Sequence, residues 1–338
     1  MKSYIVQNEN ALFHECAFSC DNALFLKLND EAFFITDARY TTEAKERVKN
    51  ATVVEAKELL KAARAIIKKQ GIKSLFYDPR TMSAQSFQFL SKSVKLLPAK
   101  NLSLKKREVK SEDEVKLLRQ AVDEGARAFD RFCEFIKKDG IGKSEEELFF
   151  NAELIFKDRG RLGLSFSPIV AINENAAKPH ALPSKKILKE GDLLLLDAGV
   201  TYERYHSDRT RTVEIGADFN FGKAQKFKDK TRQKVYDSVL LAQEAAIKKA
   251  KVGVKASDID KAARDVIEKA GYGKYFIHST GHGVGLDIHE LPVISSKSSA
   301  VIQEGMVFTI EPGIYLPNEF GVRIEDMVGV IDGEIVVL

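Results

Sequence analysis

Four consecutive leucines, Leu193–Leu196, run directly into Asp197, and Asp208 follows on the next strand-like segment. An apolar run of this kind reads as a strand buried on both faces, so Asp197 has no route to solvent. A carboxylate buried without a partner is costly. Two side by side also repel, so either the register differs and each aspartate faces solvent, or a cation sits between them, which the buried strand favours. Leu193–Val200 is expected to be one strand and Tyr205–Ile215 the next, with the turn centred between Tyr202 and Glu203. In that register Asp197 and Asp208 lie directly opposite each other and project from one face.

The segment MVFTIEPGIYLPNEFGVRIEDMVGV, Met306–Val330, poses the same problem again. Strand alternation puts Val307, Thr309 and Glu311 on one face, and Arg323 with Glu325 on one face of the returning strand. A turn centred on Asn318, between Pro317 and Gly321, sets Glu311 against Glu325. Nitrogen comes from HSTGHGVGLDIHE, His278–Glu290, which holds three of the chain's 6 histidines. Gly281, Gly283 and Gly285 around His282 permit close backbone approach, as in a tight site wall. No helix start with Lys-Ser/Thr follows, which argues against a phosphate loop. Four carboxylates and one imidazole exceed the needs of one ion. They suit two divalent cations about 3.5 Å apart that share carboxylates. Oxygen-rich ligands favour manganese, with cobalt, iron and zinc also fitting.

The remaining sequence frames these segments. With 338 residues, 44% hydrophobic and 30% charged, the chain has material for one large domain or two ordinary ones. The formal charge of +4 is spread along the chain, so no basic stripe marks a nucleic-acid binder. MKSYIVQNEN lacks the layout of a signal peptide, and no stretch approaches the roughly 18 apolar residues of a membrane span. A cytoplasmic protein is expected. Cys16, Cys20 and Cys133 are too few and too scattered for a disulfide framework. HECAFSC (His14–Cys20) reads as filler rather than a zinc site.

Residues 1–108 alternate between strand and helix patterns, as in a small α/β domain. Ala23–Leu28, Ala32–Tyr40 and SLFYD read as strands; Ala56–Gly71 and SAQSFQFLSKS read as helices. The basic run Asn101–Glu114 reads as a linker. Residues 109–338 form a larger α+β domain. Its first helices open at the capping boxes Ser111/Glu114 and Ser144/Glu147. Helices are also expected at 231–251 and at 257–270, the latter opened by Ser257 and closed by Gly271. A weak echo of helices followed by acid-bearing strands suggests two related halves.

Asp197 in LLLLDAG, Asp208 in HSDRTRT, His282 in GHGVGLDIHE, Glu311 in TIEPGIY and Glu325 in GVRIED resemble the five metal ligands of the pita-bread metallopeptidases. The branch they resemble is that of the Xaa-Pro aminopeptidases and the Xaa-Pro dipeptidases, or prolidases. The resemblance implies a C-terminal pita-bread catalytic domain behind a smaller creatinase-like N-terminal domain. It implies that Asp197 binds one ion, Asp208 and Glu325 bridge both, and His282 and Glu311 complete the other. It gives His180 and His289 substrate contact and transition-state stabilisation, Arg323 the pairing with Asp197, and His278 a wall of the pocket. The implied activity is aminopeptidase cleavage of an N-terminal Xaa-Pro bond by a hydroxide bridging the two metals, with Glu311 as general base. The substrates are peptides with proline second, and the protein is expected to be a homodimer. The alternatives are a prolidase restricted to dipeptides, a methionine aminopeptidase and a non-catalytic pita-bread binding protein. Two departures are visible: NENALFHECAF replaces the family's usual NxxYLTGF, and Ser167 and Pro168 stand where an acid is common.

Overall fold

The computed structural model describes residues 3–338 and separates into two compact units, Met1–Arg107 and Glu108–Leu338. The expected first domain begins at Met1, which with Lys2 lies outside the described residues.

The first unit is built on β1 (Ser3–Val6), α1 (Glu9–Cys16), β2 (Ala23–Leu28), β3 (Glu31–Thr36), α2 (Thr41–Arg47) and β4 (Thr52–Glu55). It continues with α3 (Leu59–Lys69), β5 (Ser74–Tyr77), α4 (Ala84–Ser91), β6 (Lys95–Pro98) and α5 (Leu102–Arg107). The strands form one mixed sheet in the order β4-β3-β2-β1-β5-β6. Its alternating side chains feed two cores: Tyr4, Phe25 and Phe34 on one face, Ile5, Leu24, Leu26 and Ile35 on the other. That two-sided burial is why the central strands β1 and β2 are mostly apolar, with Ser3 and Lys27 near their ends. Two expectations need correction. The strand expected to reach Tyr40 stops at Thr36, because Asp37 accepts a hydrogen bond from the Arg39 amide at 2.9 Å and turns the chain. The expected linker contains α5, whose Leu102 is buried; one apolar anchor among basic residues leaves no periodicity to read.

The second unit opens with α6 (Glu112–Phe135) and α7 (Glu145–Lys157), each carrying a complete capping box, Ser111/Glu114 and Ser144/Glu147. Strands β7 (Gly163–Leu164), β8 (Ile169–Ile172), β9 (Leu193–Ala198), β10 (Val200–Tyr202), β11 (Tyr205–His206) and β12 (Arg209–Glu214) follow. Next come α8 (Lys230–Lys249), α9 (Ala256–Lys269), β13 (Gly281–Gly283) and β14 (Glu290–Ile294). The chain ends with β15 (Val307–Ile310), β16 (Gly313–Leu316), β17 (Phe320–Arg323), β18 (Asp326–Ile331) and β19 (Glu334–Val337). Each half therefore has a helix pair and an antiparallel sheet, β12-β9-β8 in one and β14-β13-β15-β18-β19 in the other. The α+β class is as expected. Ser257 does not cap α9: the helix starts at Ala256, with Lys255 at the cap position and no side-chain bond there. Gly271 closes it at φ 89°.

Among the described residues no helix is long and apolar enough to cross a membrane. The three cysteines are buried and free.

The Ser144 hydroxyl accepts the Glu147 amide at 3.2 Å, and the Glu147 carboxylate takes the Ser144 amide at 2.8 Å. Ser144→Ala removes half of this box, and urea denaturation should show a loss of about 1 kcal/mol. An unchanged midpoint would mean that α7 is held by packing alone.

Candidate metal centre

The acids sit where the ladders open. Asp197 is the penultimate residue of β9, and Asp208 lies in the gap between β11 and β12. Glu311 lies between β15 and β16, and Glu325 between β17 and β18. In the second ribbon the register is the expected one. Gly313 faces Arg323 on one side of the break and Ile310 faces Asp326 on the other, which carries Glu311 and Glu325 past each other at the gap.

The first ribbon differs from expectation. Tyr202 pairs with Tyr205, so the turn is Glu203-Arg204, both at positive φ (46° and 74°), the two-residue form whose twist suits a hairpin. Asp197 therefore faces Thr210, not Asp208. The slip is by two residues, which keeps both aspartates on the same face of the ribbon as diagonal neighbours.

The structure brings ligand atoms of Asp208, His282 and Glu325 within 4.8 Å of one another. His282 Nε2 is 3.6 Å from Asp208 Oδ2 and 3.5 Å from Glu311 Oε1. His282 Nδ1 lies 3.0 Å from the Gly283 carbonyl, which assigns the proton to Nδ1 and leaves a lone pair on Nε2. Burial lowers the His282 pKa, so the ring stays neutral. A lone pair facing two carboxylate oxygens calls for a cation between them. A Cβ at Gly281 or Gly283 would run into the carbonyl of Thr309 or Leu291, so these glycines let the strand carrying His282 sit this close to its neighbours.

Asp197 stands slightly apart. Its Oδ2 accepts from Arg323 Nη2 at 2.5 Å, and its buried Oδ1 has no hydrogen-bond partner. An orphaned carboxylate oxygen beside a histidine lone pair and three further acids fits a metal centre, since the donor set is otherwise unsatisfied. Burial pushes the Asp208 carboxyl well above its ordinary range, and the charges of Asp197 and Glu311 push it further. Burial raises Glu325 likewise, helped by Asp208, Glu311 and Asp197. Glu311 is pushed up to about 7, by burial first, with Arg323 opposing the rise and Asp197 adding to it.

Hydroxyl and guanidinium groups orient the acids. Thr210 Oγ1 donates to Glu325 Oε2 at 2.7 Å and accepts from Arg323 Nε at 3.0 Å. Arg323 Nη1 reaches the Tyr315 hydroxyl at 2.7 Å, and that hydroxyl lies 2.8 Å from His278 Nε2. Because His278 Nδ1 faces the Ser279 carbonyl at 2.8 Å, Nε2 accepts the Tyr315 proton. Burial holds the His278 pKa down at about 4, so it presents a neutral ring with both nitrogens engaged. Tyr315 was missed by sequence reasoning. The signal was there: Glu311, Gly313 and Tyr315 share a face by alternation, and Gly321 opposite leaves room for the ring.

His289 is exposed, its ring centroid 4.4 Å from that of His282. His180 is exposed in the loop after the turn Asn173–Ala177, and the neighbouring Pro179 carbonyl accepts from Arg323 Nη1 at 3.4 Å.

Residues 116–332 match the family model described as metallopeptidase family M24. A Xaa-Pro dipeptidase from Pyrococcus horikoshii is 40% identical over 220 residues, covering 65% of this chain and 59% of that protein, less than two thirds of its length. The solved structure of a Xaa-Pro dipeptidase from Bacillus anthracis superposes with a TM-score of 0.91 at 32% identity, covering 99% of this chain and 92% of the other. An X-Pro aminopeptidase from Thermotoga maritima superposes at 0.87, also at 32% identity, covering 100% and 95%.

The elevated carboxyl pKa values set a sign for the pH dependence. An acid raised in the folded state stabilises fully below its ordinary pKa and loses that contribution as pH rises through the raised value. For Glu311 the window runs from 4.5 to about 7. Metal ions need these acids ionised and the histidine neutral, so metal binding strengthens as protons leave. The rise in melting temperature produced by manganese over chelator should therefore be larger at about pH 8 than at about pH 5.5. A pH-independent rise, or none, would show that cations do not bind at these acids.

Proposed function

The chain belongs to metallopeptidase family M24, and on that premise we propose that it is an aminopeptidase that cleaves the bond between an N-terminal residue and a following proline. The observation that carries the reading is the His282 Nε2 lone pair set 3.6 Å and 3.5 Å from the oxygens of Asp208 and Glu311. Asp197, Asp208, His282, Glu311 and Glu325 would hold two divalent ions, with manganese the best fit to so many carboxylates. When bound, such ions supply Lewis acidity, which polarises a peptide carbonyl and acidifies water.

The chain's own residues do the rest. Glu311, whose carboxylate lies 3.5 Å from His282 Nε2 in the same cluster, would take a proton from attacking water and pass it to the leaving nitrogen. His180 and His289, exposed at the rim, donate hydrogen bonds to charge that develops on the carbonyl oxygen. Arg323 donates to Asp197 and orients it, and Tyr315 fixes Arg323. His278 offers a neutral ring as pocket wall. A dedicated enzyme for proline makes physical sense: a bond to proline has no N–H, and φ is locked near −65°, so peptidases that read extended backbone handle it poorly.

A prolidase restricted to dipeptides is the second reading, favoured by the names of the Pyrococcus and Bacillus relatives. Arg323 beside the last acid and the separate first unit speak against a methionine aminopeptidase. Four acids and the histidine together speak against a non-catalytic binding protein. Three free buried cysteines support a cytoplasmic setting, and the family resemblance supports a homodimer.

Manganese-loaded protein should hydrolyse Ala-Pro-Ala faster than Ala-Pro and leave Ala-Ala-Ala essentially intact. Asp208→Ala should lower turnover on the order of a thousandfold with an unchanged far-ultraviolet spectrum. Preference for Ala-Pro would move the assignment to prolidase. Undiminished hydrolysis by Asp208→Ala in chelator would contradict the metallopeptidase site.

A further inference from the structure

Helix α8 turns a stripe of Val235, Val239, Ala242 and Ala246 toward the core, and on that stripe sits Gln243, fully buried. A polar side chain at such a position needs partners. Those of Gln243 are unusual. Its Nε2 donates to the Ile310 carbonyl at 3.2 Å, to the Ile324 carbonyl at 3.4 Å and to Asp326 Oδ2 at 2.9 Å. Ile310 and Ile324 are the residues immediately before Glu311 and Glu325. They flank the gap where the β15–β18 and β16–β17 ladders stop.

At that gap the glutamate amides point away from each other. Glu311 donates to the Thr280 carbonyl at 2.7 Å, and Glu325 to the Thr210 carbonyl at 3.1 Å. Pro312 has no N–H to give. The Ile324 carbonyl opposite Pro312 is left without that partner in a buried place, and a single amide from a different element reaches it together with the Ile310 carbonyl at the end of the β15–β18 ladder. The far side of Gln243 is idle: Oε1 is buried without a partner. Helix packing alone would be served as well by an apolar residue, so what the amide adds is its donors. Asp326 is itself held by Arg211 Nη2 at 2.6 Å and Lys223 Nζ at 2.6 Å, which anchors one end of the bridge.

We propose that Gln243 is a positioning residue for the two glutamate ligands, holding the ribbon open so that Glu311 and Glu325 keep a metal-sized separation. The inference rests on the metallopeptidase reading of the site.

The test is Gln243→Met, which keeps length and burial but removes the donors. Calorimetric titration of chelator-treated protein with manganese chloride is expected to show affinity lower by about tenfold than wild type. Turnover of Ala-Pro-Ala, reduced at limiting manganese, is expected to recover in excess manganese with KM unchanged. If Gln243→Met does not fold, Gln243→Asn, which withdraws the same amide by one methylene, is judged by the same criteria. Affinity within twofold of wild type, or lost turnover that excess manganese does not restore, overturns the proposal in favour of a packing role. Wild-type protein that takes up no manganese would instead overturn the metallopeptidase reading itself.

Discussion

The second unit is organised around a charge that its own residues do not balance. Asp197, Asp208 and Glu325 are buried, Glu311 is nearly so, and among the described residues Arg323 is the one lysine or arginine paired with any of them, through Asp197. Electrostatics of this kind does not fold a protein; left alone it opposes folding. The hydrophobic effect does the folding, through two cores of leucine, isoleucine, valine and aromatic side chains that clamp the strands from both sides. The acids are carried inward on those strands, and the negative charge they leave unbalanced suits the site to cations.

Local geometry then decides how the acids meet. A regular ladder would pin each carboxylate to one cross-strand neighbour. Here each acid-bearing ribbon is interrupted: Gly199 separates β9 from β10, and Pro312 separates β15 from β16. At these interruptions the backbone turns to outside partners, including Thr210, Thr280 and Gln243, and side chains from separate ribbons converge. The network from Asp197 through Arg323 and Tyr315 to His278 ties one acid to the pocket wall by hydrogen bonds of 2.5 to 2.8 Å. A rigid chain of that sort orients the Asp197 carboxylate without adding a second negative charge.

Much of this was legible in the residues. Capping boxes marked the starts of α6 and α7 because their chemistry is local and complete within four residues. The register of the second ribbon followed from Pro317, Asn318 and Gly321, since only one centre suits that turn. The first ribbon misled by two residues because Glu203-Arg204 adopts left-handed conformations without glycine or asparagine to announce them. Alternation still placed its aspartates on one face. Tyr315 and Gln243 were missed for another reason. Their roles depend on which elements meet in three dimensions, and Gln243 looks on paper like an ordinary helix residue. α5 escaped because a single buried leucine carries no period.

The proposed activity depends on these acids and His282 enclosing cations. Anomalous diffraction from crystals grown with manganese measures it directly. The expected map has two peaks about 3.5 Å apart, bounded by Asp197, Asp208, His282, Glu311 and Glu325. A map with no peak inside that ring, at saturating manganese and with the five side chains ordered, would contradict it.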